Sequence, residues 1–204
     1  DYLASKIKNK KFNAIIGVNI GANKTSTKEK RIEDYKICFE KIYQHADYVT
    51  VNISSPNTPE LRNLHDPDEL EKIFESINSI KIKNASKIPV FLKISPDEDD
   101  GTIKKILKIY KDLQICGLIV SNTSIDKNIL ENCQHEGGIS GKPLFNKSSE
   151  LIRKIKKIDD EVFIIGVGGV FSKDDYQNKI LDGANLIQVY TGFIYEGPSI
   201  VKNI

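Results

Sequence analysis

The strongest constraint on this chain is the alternation of short Ile- and Val-rich runs with charged stretches whose apolar residues recur at helical spacing. The runs are AIIGVNI (14–20), YVTVNI (48–53), PVFLKI (89–94), GLIVS (117–121), VFIIGV (162–167) and LIQVY (186–190). Between them lie EDYKICFEKIYQH (33–45), PDELEKIFESINSIK (67–81), DDGTIKKILKIYKDL (99–113) and SSELIRKIKKI (148–158). Strand followed by helix, repeated, predicts βα units and a parallel sheet with strands buried on both faces. Ser172 followed by Lys-Asp-Asp predicts the N-cap and acidic first turn of another helix, ending before the Asp-Gly-Ala turn at 182–184.

Most of these strands end in a polar or glycine-rich cluster: NIG, NISSPN, KISPD, SNTS, GVGG and YTG. An open sheet collects its ligand at one switch point, whereas a (β/α)8 barrel gathers residues from all its strand ends. Six contributing strands favour an α/β TIM barrel with about six of its eight βα units in the chain. The opening DYLASKIKNKKF reads as a helix leading into the first strand, so the two further units are expected upstream. The chain has no Met. An initiator Met is normally retained before a residue as large as Asp, so the chain is expected to start inside a longer reading frame.

Composition excludes several classes. With 204 residues and 39% hydrophobic content, the chain suits one domain with a real core. Its 30 basic and 28 acidic residues are spread along the chain, which reads as solvated helix faces and not as a nucleic-acid surface. The three cysteines, Cys38, Cys116 and Cys133, form no CxxC pair, so a reducing compartment is expected. Cys133 with His135 is thin evidence for a metal, and His45 and His65 read as surface or capping residues, so no metal site is expected. No apolar run is long enough to span a bilayer.

Chemistry concentrates in a few places. In IIGVGGVFSKDDYQNKILDGANLIQVYTG (164–192), Gly166, Gly168 and Gly169 follow a strand and precede a helix. Glycines there let backbone N–H groups approach an anion, and Tyr190-Thr191-Gly192 forms a second small turn; barrels often hold a phosphate in these last two loops. Lys93 lies near the end of an otherwise apolar strand and should meet an anion, an electron-rich ring system, or a carbonyl as a Schiff-base lysine. Asn19, Asn52, Asn57 and Asn122 stand at strand ends with no Asp or Glu beside them; any one suits a turn, but together they suit a planar ligand with amide and carboxylate edges. The loop from Asn122 to Phe145 is long enough for a lid or binding element, and Gly137, Gly138 and Gly141 give it either close backbone approach or flexibility. VNISSPNTPELR (51–62) leaves a choice between a strand-ending turn and a reactive serine.

Taken in order and spacing, NISSPNTPELR, KISPD, SNTS, GGISGKPL, GVGGV and QVYTGFIYEGP resemble the class 2, quinone-dependent dihydroorotate dehydrogenases, essentially from end to end of the chain. The resemblance implies an FMN-containing (β/α)8 barrel that oxidises dihydroorotate to orotate in pyrimidine synthesis and passes electrons to a membrane quinone. It makes Ser55 the catalytic base, where class 1 enzymes carry Cys, with Thr58 in the proton relay. It places Asn52 against flavin and substrate, and Asn57, Asn122 and Thr123 on the substrate edges. For FMN it implies Asn19, Asn52, Lys93, Ser121, Gly141, Gly169, Tyr190 and Thr191, with Lys93 facing the ring and the Gly169 and Thr191 turns on the phosphate.

The same resemblance implies that residues 1–204 form the carboxyl-terminal three-quarters of a single FMN-binding barrel domain. Amino-terminal helices that dock on the cytoplasmic side of the cell membrane, and the first two barrel strands, are absent from it. A truncated inactive remnant, a chain complemented by a separate amino-terminal part, and a non-flavin phosphate-binding barrel using Lys93 are the alternatives.

Overall fold

The computed structural model describes residues 2–9, 13–54, 67–130 and 136–204. A first helix, α1 (Tyr2–Lys8), precedes six strands that alternate with helices: β1 (Gly17–Ile20), α2 (Lys28–Ile42), β2 (Tyr48–Asn52), α3 (Pro67–Lys83), β3 (Val90–Ile94), α4 (Asp100–Asp112) and β4 (Gly117–Val120). After a long connection come α5 (Phe145–Ile158), β5 (Ile164–Val167), α6 (Lys173–Leu181), β6 (Leu186–Gln188), α7 (Thr191–Glu196) and α8 (Ile200–Asn203). All six strands are parallel and pair in chain order. Sequential parallel pairing with a helix after each strand is the (β/α)8 barrel pattern, here curled through six units.

Strand alternation sorts the core into two parts. Val18, Val49, Val51, Val90, Leu92, Leu118, Val120 and Ile164 face outward and pack with Tyr35, Phe39, Leu70, Phe74, Ile103, Ile106 and Ile152 of the helices. The other strand face carries a smaller apolar cluster of Ile119, Ile165 and Val167 with Phe91 and Phe163. On that inner face polarity changes along the strands. Tyr48 and Phe91 meet edge to face at 5.5 Å near the amino ends, and Phe163 lies 6.1 Å from Phe91. Asn52 and Lys93, register partners in β2 and β3, stand near the carboxyl ends.

Two glycines make room for this aromatic floor. A Cβ on Gly17 would fall 1.9 Å from the Tyr48 ring, and one on Gly117 would fall 2.7 Å from the Phe91 ring. Burial on both faces holds for β4 and β5 but not for β1 and β6, which pair on one side only among the described residues. Leu186 is therefore exposed.

Helix boundaries follow local chemistry. Asp99 caps α4 by accepting from the Thr102 N–H at 2.9 Å. Ser172 is the N-cap of α6, as the sequence predicts, and closes a reciprocal capping box with Asp175. The helix expected from residue 33 begins earlier, at Lys28, and the first strand starts later than its apolar run, at Gly17. The expectation that charged helix residues are solvated fails at Lys179, Arg31 and Glu69, all buried. No helix among the described residues is long and apolar enough to cross a membrane.

Candidate active site

The cavity that gathers the candidate residues holds about 480 Å³ at the carboxyl ends of the strands. Ligand sites of this kind span roughly 300–1,000 Å³. Asn19, Lys93, Ser121, Asn122, Thr123, Gly141, Gly169, Tyr190 and Thr191 all line it, contributed by β1, β3, the end of β4, the long loop at Gly141 and the turns after β5 and β6. Seven of the eight sequence-expected cofactor positions thus share one space. Asn52, the eighth, is half-buried and stands next to that lining through Asn122.

Two turns close one end of the cavity. Gly168 and Gly169 follow β5 with φ of 121° and 77°, the left-handed region that side chains resist. A Cβ on Gly169 would also fall 2.5 Å from the Cβ of Phe145. The Gly169 N–H has no hydrogen-bond partner among the described residues and is free for a ligand. Opposite, the Thr191 hydroxyl donates to the Ser140 hydroxyl at 3.1 Å, tying the turn after β6 to the long loop at Gly141.

At the other end lies a carboxamide network whose orientation can be read from its donors. The Ser54 N–H is a fixed donor and lies 3.2 Å from Asn52 Oδ1. That oxygen also accepts from Asn122 Nδ2 at 3.2 Å. Asn122 Nδ2 gives its second proton to Ser54 Oγ at 3.1 Å, and Asn122 Oδ1 accepts from the Thr123 N–H at 2.9 Å. Ser54, fully buried, also donates to the Lys93 carbonyl at 3.1 Å. From behind, buried Tyr35 donates to the Asn52 carbonyl at 2.7 Å, and burial pushes its phenol well above the usual range. The Asn122 donors are committed to this lattice, whereas the Asn52 amide N–H groups have no partner among the described residues.

Lys93 lies between these ends. Its ammonium has no hydrogen-bond or ion-pair partner among the described residues, and burial lowers its pKa from the ordinary lysine value. A half-buried cation without a carboxylate beside it is a site for an anion or an electron-rich ring. Among the described residues no three His, Cys, Asp or Glu side chains converge to hold a metal.

Ser55, Asn57 and Thr58 lie outside the described residues, as do His65, Cys133 and His135. Cys38 and Cys116 are free thiols. The sequence reading missed Ser140 and Gln188, which line the cavity, and Ser54, which organises the amides. Strand alternation could have found Gln188, whose register partner is inward-facing Val167. The long loop after β4 is pinned by an antiparallel bridge between Ser124 and Ile139, which brings Gly141 back to the cavity.

Fold and site together define six units of an α/β barrel with a ligand cavity at the strand ends, built from a pair of donor turns, a half-buried lysine and a carboxamide lattice. The family model described as dihydroorotate dehydrogenase matches residues 1–204, and the chain belongs to that family. Members of this family generally bind a flavin. The chain is 41% identical to a dihydroorotate dehydrogenase (quinone) of Aliivibrio salmonicida, covering all of this chain and 63% of that protein. It is 43% identical to one of Coxiella burnetii, covering all of this chain and 61% of that protein. A crystal structure of DHODH from Eimeria tenella in complex with ferulenol superposes with a TM-score of 0.86 at 28% identity, over all of this chain and 60% of that one. The chain thus spans about three-fifths of the length of the relatives it matches.

Proposed function

We propose that the protein containing this chain oxidises dihydroorotate to orotate, with FMN as its flavin and a quinone as the final electron acceptor. The observation that carries the reading is the single cavity lined by the Gly169 and Thr191 turns, Lys93, and Asn122 with Thr123. Its donor set suits each part of the ligand pair: the free Gly169 N–H beside the Thr191 turn for a phosphate, a cation with no partner among the described residues for an electron-rich ring, and amides for a planar substrate. Gly169 and Thr191 would hold the phosphate, Lys93 and Asn19 the ring, with Ser121, Gly141 and Tyr190 completing the wall. Bound there, FMN supplies hydride acceptance beside the substrate carbon, chemistry that no side chain offers.

The chain's own residues then have definite tasks. Asn52 presents free amide donors to the ligands, while Ser54 and Asn122 fix its rotation. By family resemblance Asn57 and Thr123 complete the substrate edges, and Ser55 takes a proton from the ring carbon next to the one that loses hydride. A serine is a poor base at its ordinary pKa, so Thr58 relays the proton onward. We further propose that residues 1–204 are the carboxyl-terminal part of one FMN-binding barrel domain. The single-sided pairing of β1 and β6 supports this, since a closed barrel leaves no strand edge. By the family resemblance alone, we place the protein peripherally on the cytoplasmic face of the cell membrane, docked through upstream helices; the relatives' names support the quinone acceptor.

The test is the purified full-length protein. It is expected to be yellow with bound FMN and to convert dihydroorotate to orotate when a soluble quinone is supplied. Ser55→Ala should lose most turnover and keep its flavin; near-normal turnover rejects Ser55 as the base. Borohydride trapping of substrate on Lys93 in a colourless protein would instead establish Schiff-base chemistry.

A further inference from the structure

Behind the Gly168–Gly169 turn lies a lysine that no part of the reaction uses. Lys179 projects from α6 and is completely buried, although its helix neighbours Gln177 and Asn178 are exposed. Its ammonium has three protons and meets three oxygens, all in the first turn of α5: the Phe145 carbonyl at 3.1 Å, Ser149 Oγ at 3.0 Å and Ser148 Oγ at 2.5 Å. The Phe145 ring centroid lies 4.4 Å away, within cation–π range. Burial lowers its pKa to about 8, while Asp182 and Asp175 act to raise it, so the cation persists at neutral pH. An apolar side chain would fill this space at lower desolvation cost. The charge must therefore be organising something.

Proton accounting identifies what it organises. An ammonium can only donate, so Ser148 Oγ accepts from Lys179 and has its own proton left to give. Two carbonyls are in reach, Phe145 at 3.1 Å and Gly168 at 3.3 Å. The Phe145 carbonyl has two lone pairs, and both are taken, one by Lys179 and one by the helical N–H of Ser149 four residues on in α5. That leaves the Ser148 proton for Gly168. In a trans peptide the C=O and the following N–H point in opposite directions. Holding the Gly168 carbonyl toward Ser148 therefore turns the Gly169 N–H away from it, to the cavity side that Gly169 lines.

We infer that Lys179 is a positioning residue which, through Ser148, fixes the Gly168–Gly169 peptide so that its N–H is aimed at a bound phosphate. The inference rests on the flavin reading above. It predicts an effect confined to the phosphate of the cofactor, which a merely space-filling lysine would not produce.

The experiment compares FMN with riboflavin, which has the same ring and no phosphate, on full-length protein stripped of flavin. Dissociation constants come from flavin fluorescence titration for wild type, Lys179→Met and Ser148→Ala. Tenfold or greater loss of FMN affinity in Lys179→Met, severalfold loss in Ser148→Ala, and riboflavin affinity unchanged within twofold would support the inference. Equal weakening of both flavins, or no change in either variant, would overturn it. Should Lys179→Met fail to fold, the FMN-to-riboflavin ratio in Ser148→Ala decides alone: a fall supports and a constant ratio overturns. A wild-type protein that binds neither flavin would instead remove the flavin reading itself, and this inference with it.

Discussion

At the β5–β6 end of the cavity the groups offered to a ligand belong to the Gly168–Gly169 backbone and the Thr191 turn, whereas at the β2–β4 end they are side-chain amide donors of Asn52, held in place by Asn122 and Ser54. The first region is aimed by conformation: positive φ at two glycines and a contact with Phe145 too close for any Cβ. The second is aimed by mutual hydrogen bonds, with Ser54 as the fixed donor that sets which way each amide faces. Backbone donors cannot be redirected without moving the chain, which suits a cofactor that stays. Amides held by neighbours can yield a bond and take it back, which suits a substrate that comes and goes.

This contrast can be broken most severely at Gly169. Gly169→Val combines a left-handed backbone with a clash at Phe145 and should cost about 3 kcal/mol of stability. Flavin should be absent from the purified variant, as read by its visible absorbance. At the opposite end, Asn122→Ala takes away the donor to Ser54 Oγ and leaves Asn52 Oδ1 with the Ser54 N–H alone. Turnover is expected to fall ten- to a hundredfold, about 1.4–2.8 kcal/mol in barrier, with flavin affinity changed less than twofold. A flavin loss equal to that of the glycine variant would erase the distinction between the two regions.

Lys93 sits between them and sharpens the comparison through sign. Its pKa is lowered by burial, so its charged form opposes folding, and that opposition is relieved as pH rises through the lowered value toward the ordinary one. Lys93→Met should raise the thermal stability of the flavin-free protein by about 1 kcal/mol, abolish that alkaline gain, and weaken flavin binding about tenfold. Differential scanning calorimetry with and without FMN measures both effects.

The smallest effect is expected outside the cavity. Lys147 bonds Asp97 at 2.7 Å and Asp126 at 2.9 Å, beside the loop that carries Ser124 and Ile125. Burial pulls Lys147 down, but hydrogen bonds to the two carboxylates hold it above the ordinary lysine value; the same bond from Lys147 holds Asp126 below the ordinary carboxylate range. A raised lysine loses its contribution as pH rises through its folded value, and a lowered aspartate loses its own as pH falls through its folded value. Amide exchange protection at Ile125, Asp126 and Asn128 should be flat near neutrality and decline at both extremes. The Asn52–Ser54–Asn122 lattice contains no titratable group and should not follow.

Much of this was legible in the chain. Alternating periods located all six strands, and GVGG and YTG marked the donor turns because glycine reports backbone demands directly. Ser172 and Asp175 announced their helix because a capping box is local in sequence. What could not be read was long-range pairing of polar groups. Ser54 and Asn122 are 68 residues apart, and the sequence favoured the second serine of the SSPN segment while the first holds the amides. Lys179 lies in a run of polar residues, DDYQNK, that reads as a solvated face. Only tertiary packing puts it beneath α5, 30 residues from its partner Ser149.

The aromatic floor carries an evolutionary consequence. Tyr48 and Phe91 occupy space that exists because Gly17 and Gly117 lack side chains. Ring and glycine are thus two halves of one inherited character. A lineage that gains a side chain at position 17 must shrink residue 48 in the same step or shortly after, and likewise for 117 and 91. These pairs should drift together, leaving a record of covariation at the strand ends away from the cavity.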